Sequence, residues 1–332
     1  MNTKRFLVKC LAAVFCAALA VHATPKSGQP PAVLLANGLE GASGSAIGPG
    51  GALYVTEGAA GRVSRVDPRT GEITTFASGL PKSVVGIGGA IDVAFIGSTA
   101  YVLVTLVGPD VGGDPEDTVG IYRVDGPDTF TVVANLGEFS VQNPPATQFD
   151  VPSGLQYALE VFRGGFLVTD GHHNRVLQVT RDWEITELIG FDNTVPTGIA
   201  VDGNTVYLAK AGPVPHLVQD GKVVSFGPKS DLVTEVASGA PLLVDVELGR
   251  GRSLYALSQG IFPVGGPPAA PALPDTGALV EVNGNGTFTV VTGGLNQPTS
   301  LEFIGNTAYV ITLSGEIWKI DDVSGPPSGL GR

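Results

Sequence analysis

The chain has 332 residues, 43% of them hydrophobic and 15% charged, with a formal net charge of −12. That apolar content permits a sizeable core and argues against a disordered or coiled-coil chain. An acidic chain with no basic cluster repels polyanions, so nucleic acid is not expected as a partner, nor an anionic lipid surface.

The N-terminus reads as a targeting segment. Lys4, Arg5 and Lys9 are followed by an apolar run over 11–21, with small residues for cleavage after Ala20 or Ala23. Residues 1–23 are therefore expected to be a secretory signal peptide, which places the mature protein outside the cytoplasm, secreted or periplasmic. The run is shorter than the ~20 residues a membrane span needs, so no span is expected. Both cysteines, Cys10 and Cys16, lie inside this segment. The mature chain then has no disulfide, zinc–thiolate site or cysteine nucleophile. Loss of residues 1–23 removes three cations and no carboxylate, taking the net charge from −12 to −15.

From there one unit recurs to the end of the chain. Short runs rich in valine, isoleucine and threonine are punctuated by 47 glycines and 25 prolines, the pattern of many strands joined by turns. Each unit opens with a strand A preceded by small or polar residues (44–47, 91–95, 153–155, 197–201, 244–247, 299–303). Strand B follows a tight turn: ALYVTE, TAYVLV, GFLVTD, TVYLAK, SLYALS, TAYVIT. Strand C reads GRVSRVD, GIYRVD, NRVLQVT, GKVVSFG, GALVEVN and GEIWKID. Strand D occurs five times, the first as EITTFASGL and the last as TFTVVTGGL. The pitch, about 45–60 residues, is near that of propeller blades. The expected fold is all-β: a six-bladed β-propeller of four-stranded antiparallel blades over 24–323, with a short flexible tail at 324–332. The missing sixth strand D is found at the other end of the chain, where 32–39 (AVLLANGL) matches the D pattern. It is expected to pair with 315–321 and close the ring.

Insertions fall in the B–C connections (105–119, 210–221, 258–277) and one D–A connection (138–151), while the A–B and C–D turns are minimal. The face of the elaborated loops is the expected binding face, and Pro/Gly-rich 258–277 is expected to be a mobile loop that can be shortened freely. Glu57, Asp170, His172, His173 and His216 are the ligand-face candidates. The two adjacent histidines also fit a plain turn beside Gly171 and Asn174.

Alternation along strand A assigns the central channel. Val93, Leu155, Ile199, Val246 and Leu301 are expected to pack between blades. Gly44, Asp92, Gly154, Gly198, Asp245 and Ser300 are expected to face the axis. Ala94, Gln156, Ala200, Glu247 and Glu302 follow one pleat further. Asp92, Asp245, Glu247 and Glu302 thus converge on the axis, either as solvated acids of a wet channel or as a site for a hard cation such as Ca²⁺. No G-x-S-x-G, phosphate loop or H-E-x-x-H occurs.

These repeats resemble the ScyD/ScyE family of exported propellers, relatives of NHL-type and gluconolactonase-like six-bladed propellers. The likeness rests on GPGGALYVTE, VTDGHHNRVLQVT, SGAPLLVDVELGRGRSLYALSQG and QPTSLEFIGNTAYVITLSGEIWKID, and spans nearly the whole mature chain. The gluconolactonase-like relatives bind a divalent cation in the channel through Glu, Asn and Asp. Here Asp92 and Asp245 stand at comparable positions, while the first strand A reads SGSAIG and no strand A holds an asparagine. The leading expectation is a secreted, monomeric, non-enzymatic binding scaffold for a small molecule or an extracellular protein. The alternative is a Ca²⁺-dependent hydrolase of the lactonase or arylesterase kind. A quinoprotein dehydrogenase is a third reading, poorly served by so acidic a chain.

Overall fold

A computed structural model describes residues 30–146, 149–230, 232–267 and 270–323. The expected signal peptide and C-terminal tail lie outside the described residues. Twenty-four strands form six four-stranded antiparallel sheets, each with its strands in sequential order except the last. Blade 1 comprises Ala42–Ile47, Leu53–Glu57, Arg62–Val66 and Ile73–Ser78. The inner strands of blades 2 to 6 are Gly89–Ile96, Gln156–Phe162, Pro196–Asp202, Leu243–Leu248 and Pro298–Ile304. Each inner strand neighbours the next, and the sixth neighbours the first, so the ring is closed.

The closure is the one the repeat predicts. Ala32–Ala36 is the outer strand of blade 6, pairing Ala32 with Ile320 and Leu34 with Trp318. Beyond the strand, the Leu39 N–H donates to the Gly315 carbonyl at 3.2 Å. The N-terminal strand thus covers an edge that would otherwise offer unpaired backbone groups.

The hydrophobic core is divided among the interfaces between blades. Tyr54 and Val63 of blade 1 pack with Val93 and Val102 of blade 2, and five further clusters repeat this arrangement around the ring. Tyr54 meets Phe76 edge-on at a ring separation of 5.0 Å and Phe95 in a tilted contact at 4.7 Å, aromatic pairs worth about 0.5–1.5 kcal/mol beyond area burial. The cluster between blades 6 and 1 unites Ile311 and Ile317 with Leu53, Val55, Leu35 and Leu39.

Every inner strand carries an irregularity within its first two pairs with strand B. In blade 2, Ala90 faces Val104 and Asp92 faces Leu103, which leaves Ile91 unpaired. In blade 5, Val244 is skipped in the same way before Asp245. Such bulges re-aim the following side chain, and here they set both aspartates toward the axis.

Blade 3 corrects the sequence reading. Its inner strand begins at Gln156 and aligns Leu159 with Val168 and Glu160 with Leu167. The expected strand at 153–155 lies four residues too early. Leu159 takes the inter-blade place expected for Leu155, while Ala158 and Glu160 take the axial places expected for Gly154 and Gln156. Gln156 is instead fully buried, its side chain held by the Thr105 hydroxyl at 2.9 Å and the Ser153 carbonyl at 2.9 Å.

The long B–C loops share one face, as expected. Two further findings qualify the loops. A helix, Leu136–Gln142, opens the D–A insertion, its Asn135 cap accepting the Glu138 N–H at 2.9 Å, a local preference of Asn before a first-turn carboxylate. The loop joining Ser258 to Gly277 is anchored rather than free to shorten. Its Phe262 and Ala272 are buried with Ala211 and Leu242, and the Gln297 amide caps the Ala272 carbonyl.

Two outcomes follow for thermal melting. Deleting residues 24–39 uncovers the strand-C edge of blade 6 and removes from the last interface the buried Leu39, at about 1.5–3 kcal/mol, and the half-buried Leu35. The truncated protein should melt non-cooperatively or aggregate, and an unchanged melting curve would contradict the closure. Phe262→Ala should cost about 3 kcal/mol, measurable by urea unfolding, whereas a loose loop would show no change.

Candidate functional site

Five carboxylates meet around the axis: Asp92, Glu160, Asp245, Glu247 and Glu302, all lining one cavity of about 320 Å³. Four were expected, and Glu160 is the addition. Asp92 and Asp245 form a first tier with Gly44, Ala158, Gly198 and Ser300. Glu160, Glu247 and Glu302 form a second tier with Ala46, Ala94 and Ala200. Register confirms the tiers, since Glu247 faces Tyr255 and Glu302 faces Tyr309 at equivalent points of their hairpins.

The aspartates are held by the same device in blades 2 and 5. Asp92 accepts the N–H of Val93 at 2.8 Å and that of Leu159 in blade 3 at 2.7 Å. Asp245 accepts the N–H of Val246 at 2.8 Å and that of Leu301 in blade 6 at 2.7 Å. Each carboxylate therefore clips its blade to the following one. On the preceding blade a glycine makes the room. A Cβ at Gly44 would stand 2.1 Å from Asp92 Oδ1, and one at Gly198 would stand 2.4 Å from Asp245 Oδ1.

Enclosure and like charge set the protonation. Burial, followed by the charges of neighbouring acids, raises Asp92, Glu247 and Glu302 well above the ordinary carboxylate range. Burial pushes Asp245 up to about 7, opposed by the Leu301 and Val246 amides. Burial also pushes Glu160 up to about 7, opposed by hydrogen bonds from the Val161 and Val201 amides. Among the described hydrogen bonds, Glu302 accepts none. The shared enclosure thus raises all five carboxyls, Asp245 and Glu160 to about 7.

The donor set suits a hard cation in its chemistry. Its spacing does not: among the described residues no three His, Cys, Asp or Glu side chains approach closely enough to hold a metal ion. The oxygens of both aspartates are also already engaged by amides.

The ligand-face candidates sit differently from their expected role. Glu57 and Asp170 occupy equivalent ends of strand B, opposite Arg62 and Arg175 respectively. Both carboxylates are fully buried. Glu57 accepts Arg62 Nε at 2.8 Å, Arg62 Nη2 at 2.7 Å, the Ser64 hydroxyl and the Glu40 N–H. Burial pushes its carboxyl up, and these hydrogen bonds outweigh that and hold it below its ordinary value. Asp170 meets His173 Nδ1 at 2.9 Å and Arg175 Nε at 3.2 Å, and Arg175 reaches on to the Asn143 carbonyl at 2.8 Å. These pairs bind turns to the blade, so neither Glu57 nor Asp170 is a free acid on the face. His173 and His216 are buried too; His216 Nδ1 bonds the Gly212 carbonyl at 2.8 Å and its ring meets that of Phe262 edge to face. His172 is the more accessible histidine, its Nε2 accepting the Val151 N–H at 3.3 Å beside Phe149.

No protein-family model matches this chain, and no curated protein matches it. Solved structures do. A gluconolactonase from Xanthomonas campestris superposes with a TM-score of 0.60 at 13% identity, over 89% of this chain and 90% of that one. The calcium-binding protein regucalcin from Agrobacterium tumefaciens gives 0.57 at 13%, over 90% and 97%. Virginiamycin B lyase from Staphylococcus aureus gives 0.56 at 14%, over 88% and 98%. At these identities the likeness is one of fold: the chain is a six-bladed propeller whose structural neighbours include gluconolactonase-like proteins.

The raised carboxyls fix the sign of a pH effect. A carboxyl titrating higher in the folded than in the unfolded protein contributes stability that is complete below the unfolded value, ~4, and lost as pH rises through the folded value. In the absence of divalent cations the melting temperature should therefore be higher at pH 5 than at pH 8. Glu302→Gln should flatten that slope, and a melting temperature rising across this window would contradict it.

Proposed function

We propose that the acidic chamber is the working site and that the protein hydrolyses a small lactone or ester there. The observation that carries this reading is the gathering of five carboxyls around one enclosed cavity, where burial raises Glu160 to about 7 and lifts Glu247 and Glu302 well above the ordinary carboxylate range. Carboxyls raised in this way can exchange protons near neutral pH, one as base and a neighbour as acid. The fold shared with a gluconolactonase supports the same choice.

In this reading the ionised Glu160 takes a proton from water as its oxygen bonds to the acyl carbon. A protonated Glu302 or Glu247 donates a hydrogen bond to the carbonyl oxygen, which gains negative charge. The intermediate then collapses: the acyl–oxygen bond breaks and the proton held by Glu160 passes to the departing alkoxide, giving a hydroxy acid. General acid–base assistance of this kind contributes about 10²–10⁴-fold. A hard cation of the calcium class would neutralise the acids if it drew Glu247 and Glu302 together. No step above depends on it.

A second reading keeps the elaborated face as a binding surface of a secreted or periplasmic scaffold. It is supported by an open hollow of about 740 Å³ beside Phe191, Lys210 and Asp220, and by a smaller one of about 360 Å³ beside Pro109, Glu138 and Ser153.

Hydrolysis of a sugar lactone, followed by proton release, separates the two. The hydrolase reading predicts turnover that rises through pH 7 and falls at least 100-fold in Glu160→Gln with melting intact. Turnover absent from the wild type, or unaffected by Glu160→Gln, would leave the scaffold. Calcium titration of the melting temperature checks the cation separately: stabilisation by mass action that disappears in Glu247→Gln/Glu302→Gln would place it in the chamber.

A further inference from the structure

The two ends of the channel are unequal. The cavity of about 320 Å³ extends from the aspartate tier past Glu160, Glu247 and Glu302 to Phe95, Val161 and Phe303, which border the A–B turns. On the other side of the same tier only about 20 Å³ remains, beside Ile91, Tyr157 and Thr299. Tyr157 causes the difference. It projects from the first turn of the blade 3 inner strand, and its hydroxyl donates across the ring to the Thr299 carbonyl of blade 6 at 3.3 Å. Its ring packs against the core between blades 3 and 4 and also against that between blades 5 and 6. A side chain touching opposite sides of the ring obstructs the passage between them.

We propose that the chamber is a blind cup with one mouth, on the face of the A–B turns, and that Tyr157 is its floor. Ligands then enter from the face opposite the long B–C loops. The walls decide what enters. Those of the five carboxyls that ionise repel small anions and attract compact cations, and Phe95 and Phe303 give the mouth an apolar lining that also suits a neutral ring. The volume limits the guest to a small molecule. This takes the chamber to be the working site, but the route itself is independent of any hydrolysis.

Substituted-cysteine labelling tests it. With Cys10 and Cys16 replaced by serine, Ala94→Cys places a thiol on the second tier with little change in volume. Its reaction with methanethiosulfonate ethylammonium and with the anionic sulfonatoethyl analogue is followed by mass spectrometry, against Ser98→Cys on the exposed A–B turn as a control. The cup predicts that Ala94→Cys is labelled by the cationic reagent at least 10-fold faster than by the anionic one, after normalisation to Ser98→Cys. It further predicts that adding Tyr157→Ala or Tyr157→Phe changes the cationic rate less than 2-fold. A thiol that stays unreactive until Tyr157 is truncated would place the entrance on the long-loop face and overturn the proposal. A thiol unreactive in every background would show that the chamber has no open mouth, with the same consequence. Equal normalised rates for the two reagents would overturn the charge selection. Loss of hydrolysis with the labelling pattern intact would sink the enzymatic reading alone.

Discussion

A four-stranded blade has two apolar faces, and each is covered only by the neighbouring blade. From that constraint comes the closed ring, and from the ring comes an axis on which six inner strands converge. The clips between blades are made at this axis. Asp92 and Asp245 each accept an amide of the following blade and lie against a glycine of the preceding one. The hydrogen bonds that hold the ring also draw like charges into one enclosure. Burial then shifts the carboxyls upward, Asp245 and Glu160 to about 7.

Most of this was legible in the sequence because the repeat is written in residues with strong local preferences. The turns, the alternating strands and the displaced D strand at 32–39 each announced themselves. Asp92 and Asp245 were found because their strands end in recognisable A–B turns. Glu160 was missed for a physical reason. The D–A insertion ends in Ser153-Gly154-Leu155, which imitates the small-polar opening of the other inner strands, while the true strand starts after it. Counting back from the turn at Arg163 and Gly164, as Ala94 is counted from Gly97, would have found it. Tyr157 was missed because nothing in a single strand shows that a side chain crosses the ring.

Four of the five candidates on the elaborated face are buried, and His172 is half-buried. Glu57 and Asp170 stand at the same place in two blades, each opposite an arginine, in VTEGAAGRV and VTDGHHNRV. Charged residues in a turn suggest a surface, but the repeated acid–arginine spacing across a hairpin is the mark of an internal pair. Arg175 is fully buried with Asp170, a costly placement compensated by bonds to His173, Ser140, Asn143 and Glu187. Truncating either partner would strand a buried charge. The face keeps its hollows, but these residues are its framework.

The account turns on carboxyls that change charge near neutrality inside a closed cavity. Carbon-13 NMR of protein labelled at the glutamate side-chain carboxyls would observe this directly. The account predicts a resonance titrating with a midpoint near pH 7 that vanishes in Glu160→Gln, with those lost in Glu247→Gln and Glu302→Gln titrating well above the ordinary carboxylate range. If every glutamate instead completed its titration below pH 5, the chamber would be an ordinary hydrated channel, and its role in catalysis would be contradicted.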